Sequence, residues 1–263
     1  MEINVGFALM LATLAGLSTG IGSSIAYFIR KPKYSYLAVL LGFSAGVMIY
    51  ISFAELLKTA IDEVGFGMAN IAFFVGIGLI AVLDLAVPHS YIAEESRIHD
   101  FNFSANTSLA SRAKLMQIGK FTALGIAIHN FPEGLVTFVS GATGDMAFGL
   151  IIATAIAIHN IPEGISVSIP IFYATGSRRK AFFYSFMSGV AEPIGALIGF
   201  AILLPFLSPG LISSILAFVA GIMIYISLDE LLPAAHKYGG EHLSLAGLLA
   251  GMLVMALSLF MLR

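Results

Sequence analysis

Eight long apolar runs, separated by short polar stretches, dominate the chain. They cover 5–29, 36–58, 67–88, 119–139, 147–173, 181–204, 211–232 and 243–262. A helical bilayer crossing needs about 20 mostly apolar residues. Hydrocarbon offers the backbone no partner, so each run must satisfy its own hydrogen bonds as a helix. The pattern predicts an all-α integral membrane protein of eight transmembrane helices. One long polar connection, about 89–118, separates the third run from the fourth. The whole chain, 1–263, reads as a single transmembrane domain with that loop attached. The first run lacks a basic leader and an A-x-A cleavage site, so it reads as a retained span rather than a signal peptide.

Composition points the same way. The chain is 59% hydrophobic and 11% charged, whereas soluble domains carry about 25% charged residues. A net charge of −2 and the lack of a basic tract give no footing for nucleic acid. Cys is absent, which excludes disulfides and thiolate metal ligands. The 13 Lys and Arg residues set the orientation. Arg30, Lys31 and Lys33 follow span 1; Arg97, Arg112, Lys114 and Lys120 follow span 3; Arg178, Arg179 and Lys180 follow span 5; Lys237 follows span 7. Only Lys58 and Arg263 fall on the other side. The positive-inside rule then places the 89–118 loop in the cytoplasm and both termini on the outer, periplasmic side of the cell's inner (plasma) membrane. Asn102 and Asn106 sit in N-x-S/T sequons of that loop, where glycosylation does not reach them.

Two internal repeats stand out. IAIHNFPEG at 126–134 and IAIHNIPEG at 156–164 match at eight of nine positions. GVMIYISFAELLKTA at 46–60 and GIMIYISLDELLPAA at 221–235 match at 10 of 15. Each pair lies in spans of opposite direction, so both repeats are inverted. Spans 1–3 are set against 8–6, and 4 against 5, a nested 3+2+3 arrangement. Inverted repeats are typical of secondary transporters, whose site lies at the repeat interface near the midplane.

Seven carboxylates fall inside the spans: Glu55, Asp84, Glu133, Glu163, Glu192, Asp229 and Glu230. No Lys or Arg lies deep in a span to pair with them. An ionised carboxylate at that depth costs several kcal/mol when alone. Protonation, water or a bound cation must therefore compensate. His129 and Glu133 are four residues apart, as are His159 and Glu163, which places each pair on one helical face. Two facing antiparallel helices would bring two imidazoles and two carboxylates together, a set that accepts Zn2+, Fe2+, Mn2+, Co2+ or Cd2+. Asn130 and Asn160, rotated by about 100°, could serve a neighbouring position that shares the Glu pair. Pro132 and Pro162 remove the donors for the Ile128 and Ile158 carbonyls, which predicts kinked or broken helices beside the ligands. Glu192, before a proline in span 6, is read as a further member of the site; the alternative is a protonated packing group. Met48, Glu55, Asp84, Asp229 and Glu230 form a possible relay at the two mouths, with ordinary packing or interfacial solvation as the alternative. The small residues of span 1, from Ser18 to Ser24, read as helix packing.

On the HNFPEG and HNIPEG motifs, the AEP of span 6 and the eight-span layout, the chain resembles the ZIP (Zrt/Irt-like) family of divalent metal transporters. The likeness is greatest to its bacterial ZupT-type branch and covers essentially the whole chain. The resemblance implies import of Zn2+ and of Fe2+, Mn2+, Co2+ or Cd2+ into the cytoplasm, with metal as cargo and no prosthetic group. It implies a binuclear site. One position would use His129, Glu133, His159 and Glu163; the other would use Asn130, Asn160 and Glu192, with Glu133 and Glu163 bridging. It further implies elevator-type movement of spans 1, 4, 5 and 6 against 2, 3, 7 and 8, and a homodimer in membrane lipid. Many relatives have a His-rich loop between spans 3 and 4. This one offers only His89, His99, Glu94, Glu95 and Asp100.

Two other functions compete. A metallohydrolase would place H-E-x-x-H on one helix, and that motif is absent. A cation/proton antiporter would use the acids but leaves the paired His and Asn without a role.

Overall fold

The structure, a computed structural model, describes residues 4–26, 28, 34–86 and 109–262. It is helical throughout, with no strand among the described residues. The helices are α1 (Val5–Ala26), α2 (Tyr34–Ile51), α3 (Lys58–Ala86), α4 (Leu109–Ala142), α5 (Met146–Thr175), α6 (Arg178–Gly189), α7 (Ala191–Leu203), α8 (Pro209–Ile226) and α9 (Leu232–Leu262). π-helical segments, Ser52–Leu57 and Ser227–Leu231, join α2 to α3 and α8 to α9. A short 3-10 turn, Leu204–Phe206, follows α7.

Local chemistry sets the ends. Asp145, Ser177 and Ser208 cap the starts of α5, α6 and α8 by accepting from the backbone N–H of Phe148, Lys180 and Leu211. These bonds satisfy donors that the first helical turn leaves unpaired. Pro209 follows Ser208 where a missing N–H costs nothing. Helix α4 starts at Leu109, so the last part of the expected polar loop is helical. His89, Glu94, Glu95, His99, Asp100, Asn102 and Asn106 lie outside the described residues.

Five helical runs among the described residues are long and apolar enough to cross a membrane: Val5–Ala26, Ser35–Leu85, Met146–Thr175, Arg178–Phe206 and Pro209–Met261. Two of them, of 51 and 53 residues, each contain a non-helical glycine. Gly65 has φ 80°, ψ 159° and Gly240 has φ 76°, ψ 175°. An added Cβ would meet nothing within 4 Å at either position. The positive φ, not the space, therefore calls for glycine. The two π segments and these two glycines recur at the same offset as the aligned segments 46–60 and 221–235. The repeat thus extends to backbone irregularities as well as side chains.

The expectation of a broken helix at each HN-PEG motif is not met. Helices α4 and α5 run without interruption through Pro132 and Pro162. A proline removes one hydrogen bond and leaves the rest of a long, well-packed helix intact. The sixth expected span is the one that divides, into α6 and α7 at Val190.

Close glycine contacts sort the helices into two groups. Helix α2 packs on α9 and α3 on α8. A Cβ at Gly42 or Gly46 would strike the α9 backbone at Ser244 and Leu248, and one at Gly247 or Gly251 would strike α2 at Val39 and Phe43. Gly76 and Gly221 do the same between α3 and α8, against Phe218 and Phe73. The α2 and α9 glycines form reciprocal G-x-x-x-G faces, which let backbones touch where hydrocarbon supplies no drive for association. In the other group, Gly22 meets Ile161 and Gly164 meets Thr19, joining α1 to α5. Gly16 and Gly189 join α1 to α6, while Gly134 against Glu192 and Gly195 against Phe131 join α4 to α7. Each of these backbone approaches joins helices of one group. Between the groups, α2 meets α5 and α8 meets α4.

Candidate metal site

The two HN-PEG segments face each other across α4 and α5. His129, Asn130, Glu133, His159, Asn160, Glu163 and Glu192 are all buried, none more than 1% exposed. The spacing of each motif puts His and Glu on one face of one helix, yet the bonds run between helices. His129 Nε2 lies 2.9 Å from Glu163 Oε2, and His159 Nε2 lies 2.9 Å from Glu133 Oε1. The motifs are therefore cross-linked as two His–Glu couples.

Tautomer chemistry limits what those couples are. His159 Nδ1 lies 3.0 Å from the Ala155 carbonyl. A carbonyl only accepts, so Nδ1 carries the proton and donates. Nε2 then faces a carboxylate oxygen, and two lone pairs at 2.9 Å require one proton or one cation between them. A metal ion bound to both would hold N and O about 3.4 Å apart, from bond lengths of about 2.1 Å at a tetrahedral angle. The couple has to open by a few tenths of an ångström to admit it.

The asparagines use their donors elsewhere. Asn130 Nδ2 donates to the Ser188 carbonyl at 3.1 Å, at the end of α6. Asn160 Nδ2 donates to the Ala15 carbonyl of α1 at 3.2 Å and to Glu192 Oε2 at 2.9 Å. Because those carbonyls only accept, the assignment of amide nitrogen and oxygen is fixed. Both Asn side chains thus keep an oxygen without a partner. Four buried site oxygens lack any hydrogen bond: Asn130 Oδ1, Glu133 Oε2, Asn160 Oδ1 and Glu192 Oε1. His129 Nδ1 is also unpartnered. Each such acceptor left without a donor costs about 1–3 kcal/mol. Cations satisfy oxygens of this kind.

The sequence leads one to expect two His and two Glu closing on a single point. Among the described residues, no three or more His, Asp or Glu are grouped to hold a metal ion. Each imidazole is engaged by one carboxylate of the other helix, so the four groups stand as two couples. Glu192 joins the site through Asn160.

The possible relay residues are scattered. Met48 is fully buried on α2. Glu55 is buried in the first π segment. Asp84 is half-buried and accepts from the Tyr225 hydroxyl at 3.1 Å. Asp229 is exposed and Glu230 half-buried in the second π segment. Glu230 reaches toward α4: its Oε2 would be 3.2 Å from a Cβ at Gly125, one turn before His129.

Sequence reasoning missed three contributors. Ser44 of α2 donates to Glu163 Oε1 at 2.7 Å. The Ala15 and Ser188 carbonyls orient the asparagines. A single Ser in an apolar helix and two main-chain carbonyls leave no pattern to find. The small residues of span 1 expected to pack, Ser18, Thr19, Gly20, Gly22 and Ser23, are buried, while Ser24 is exposed; the Ala15 carbonyl of the same helix accepts from Asn160.

Comparison with known proteins supplies the family. Residues 92–259 match the family model described as ZIP zinc transporter. The chain is 52% identical to a protein named zinc transporter ZupT from Chlorobium phaeovibrioides, over 97% of both chains. It is 50% identical to one of the same name from Clostridium perfringens, over 98% of this chain and 96% of the relative. A third, from Lysinibacillus sphaericus, is 50% identical over 100% of both. With its apolar helices and near full-length similarity, the chain is a multi-pass membrane protein that belongs to the ZIP zinc transporter family.

Proposed function

We propose that the protein imports divalent metal into the cytoplasm, Zn2+ foremost and Fe2+, Mn2+, Co2+ or Cd2+ by the same ligands. The observation that carries this reading is the set of four unpartnered buried oxygens beside two His–Glu couples. An importer needs an intramembrane site that welcomes a cation, and this donor set lacks only a cation. The names of the relatives, zinc transporters, support zinc as cargo. His129, Glu133, His159 and Glu163 form the first metal position. Asn130, Asn160 and Glu192 form the second, with Glu133 and Glu163 bridging. Glu133 Oε2 is free to bridge, and Glu163 Oε1, which accepts from Ser44, keeps a second lone pair for a metal.

In this reading eight spans cross the bilayer in the 3+2+3 pattern. A 51- or 53-residue helical run would be about 75–80 Å long if straight, against a hydrocarbon core of about 30 Å. Gly65 and Gly240 fold each run into two crossings. A site exposed by no more than 1% must open to each side in turn. The glycine contacts favour an elevator in which α1 and α4–α7 slide as one body past α2, α3, α8 and α9. Backbones locked together move together, and the sliding faces would be those where α2 and α9 meet α5 and α8 meets α4, which none of these close glycine approaches joins.

The test is reconstitution in liposomes, with Zn2+, Fe2+, Mn2+, Co2+ and Cd2+ uptake followed beside the Glu133→Ala, Glu163→Ala double variant. Saturable uptake that the variant lacks is the expected result. Tight binding without flux in folded, correctly inserted protein would sink the importer.

A further inference from the structure

We propose that Ser44 is a positioning residue that makes the metal affinity of the site depend on where α2 stands. This rests on the metal-carrier reading. Ser44 is fully buried on α2, and its hydroxyl donates to Glu163 Oε1 at 2.7 Å. The other oxygen of that carboxylate, Oε2, faces His129 Nε2 at 2.9 Å. One carboxylate thus links a hydroxyl of one helix group to an imidazole of the other.

Two contrasts separate this serine from a packing serine. Ser18, Ser24 and Ser166 bond back to carbonyls of their own helix, three or four residues earlier, and Ser23 and Ser185 bond across helices only within the group that carries the ligands. Ser44 instead reaches from the other group to a ligand carboxylate. The second contrast is with its repeat mate. SAGVM at 44–48 aligns with VAGIM at 219–223, so the counterpart of Ser44 is Val219, which cannot donate. Correspondingly, Glu133 Oε2, the oxygen equivalent to Glu163 Oε1, has no partner. The His–Glu couples obey the inverted symmetry, and the support of the second oxygen breaks it.

A hydrogen bond to a ligating carboxylate fixes its orientation, and loss of such a partner lowers metal affinity by about 10–100-fold. Ser44 rides outside the helix group that carries the ligands. Movement of that group past α2 removes the bond without touching any ligand. The site therefore binds tightly where Ser44 is in register and loosely elsewhere. Only such differential affinity lets a ligand couple to a change of state.

The test uses wild type, Ser44→Ala, Ser44→Gly and Ser44→Thr, with initial Zn2+ uptake in liposomes and Zn2+ titration of the same proteins in detergent. Ser44→Ala and Ser44→Gly raise KM and Kd about tenfold, with maximal rate equal or higher because release has no bond to break; Ser44→Thr, which keeps the hydroxyl, stays within about twofold of wild type. A packing role would lower maximal rate in all variants and leave Kd unmoved. Wild-type KM and Kd in the two hydroxyl-free variants, or a Thr variant as impaired as the Ala variant, would overturn the proposal. Wild type that binds Zn2+ but passes none refutes the carrier while the Kd ratios still decide the role of Ser44. Wild type that binds none refutes both.

Discussion

The Gly134→Ala substitution adds one methyl where α4 meets α7. Its Cβ would lie 2.6 Å from the carbonyl carbon of Glu192 and 2.9 Å from the Glu192 Cα. It would strike the Glu192 carbonyl oxygen more closely still; carbon atoms in contact sit about 3.5–4.0 Å apart, so the two backbones must part by about 1 Å or more. Both atoms are main chain, and no rotamer change can absorb the clash. Functional groups need holding to within about 0.5 Å, and the displacement falls between Glu133 and Glu192. A shift of that size costs a working site about 100-fold in rate, and the overpacking costs about 1–3 kcal/mol of stability. Zn2+ uptake should therefore fall far more than the folded fraction does. Gly67→Ala is the control, since a Cβ there meets nothing within 4 Å; it should retain wild-type uptake. The assay is initial Zn2+ uptake in liposomes, normalised to folded protein by thermal melting in detergent. Wild-type KM and maximal rate in Gly134→Ala would refute the reasoning and remove Glu192 from the site.

Asn160→Ala leaves Glu192 Oε2 without its donor and should abolish the second metal position but not the first. Isothermal titration would read this as a stoichiometry falling from about two to about one; two tight sites in the variant would contradict it. His129 and His159 must be neutral to bind metal, so protons compete with the cation and affinity weakens as pH falls. Zn2+ titrations from neutral to mildly acidic pH check this, and flux that climbs steadily on acidification would point instead to proton coupling. Gly46→Leu should prevent α2 from seating on Leu248 of α9, with loss of folded protein of more than about 3 kcal/mol, read as a collapsed melting transition. A stable Leu variant would show that the α2–α9 contact is dispensable.

The sequence makes the apolar runs and both repeats legible, because lipid requires long uninterrupted periodicity and duplication leaves matching polar residues. It also picks out the seven buried polar side chains of the candidate site, since polar groups in apolar helices stand out. It does not reveal partners. Spacing fixes which residues share a face of one helix, so His129 and Glu133 look like companions, while packing gives His129 to Glu163. The π segments at Ser52–Leu57 and Ser227–Leu231 are equally hidden, because an extra residue in a helical turn leaves an apolar run looking the same. Proline misleads in the other direction. Pro132 and Pro162 suggest breaks, but the neighbouring turns keep both helices whole.

If the seven side chains proposed as donors, at most 1% exposed, hold a metal ion, they can admit only an ion stripped of its hydration shell. That requirement sorts the abundant cations of a cell. Mg2+ gives up water reluctantly and demands a near-ideal octahedron of oxygens, while Ca2+ seeks six to eight of them. Two imidazoles and a few amide and carboxylate oxygens repay neither ion for the water it surrenders. Borderline ions such as Zn2+ replace that water with His nitrogen and a small number of oxygens. If the protein carries metal as proposed, the same burial would also discriminate, rejecting the commonest divalent ions at the dehydration step.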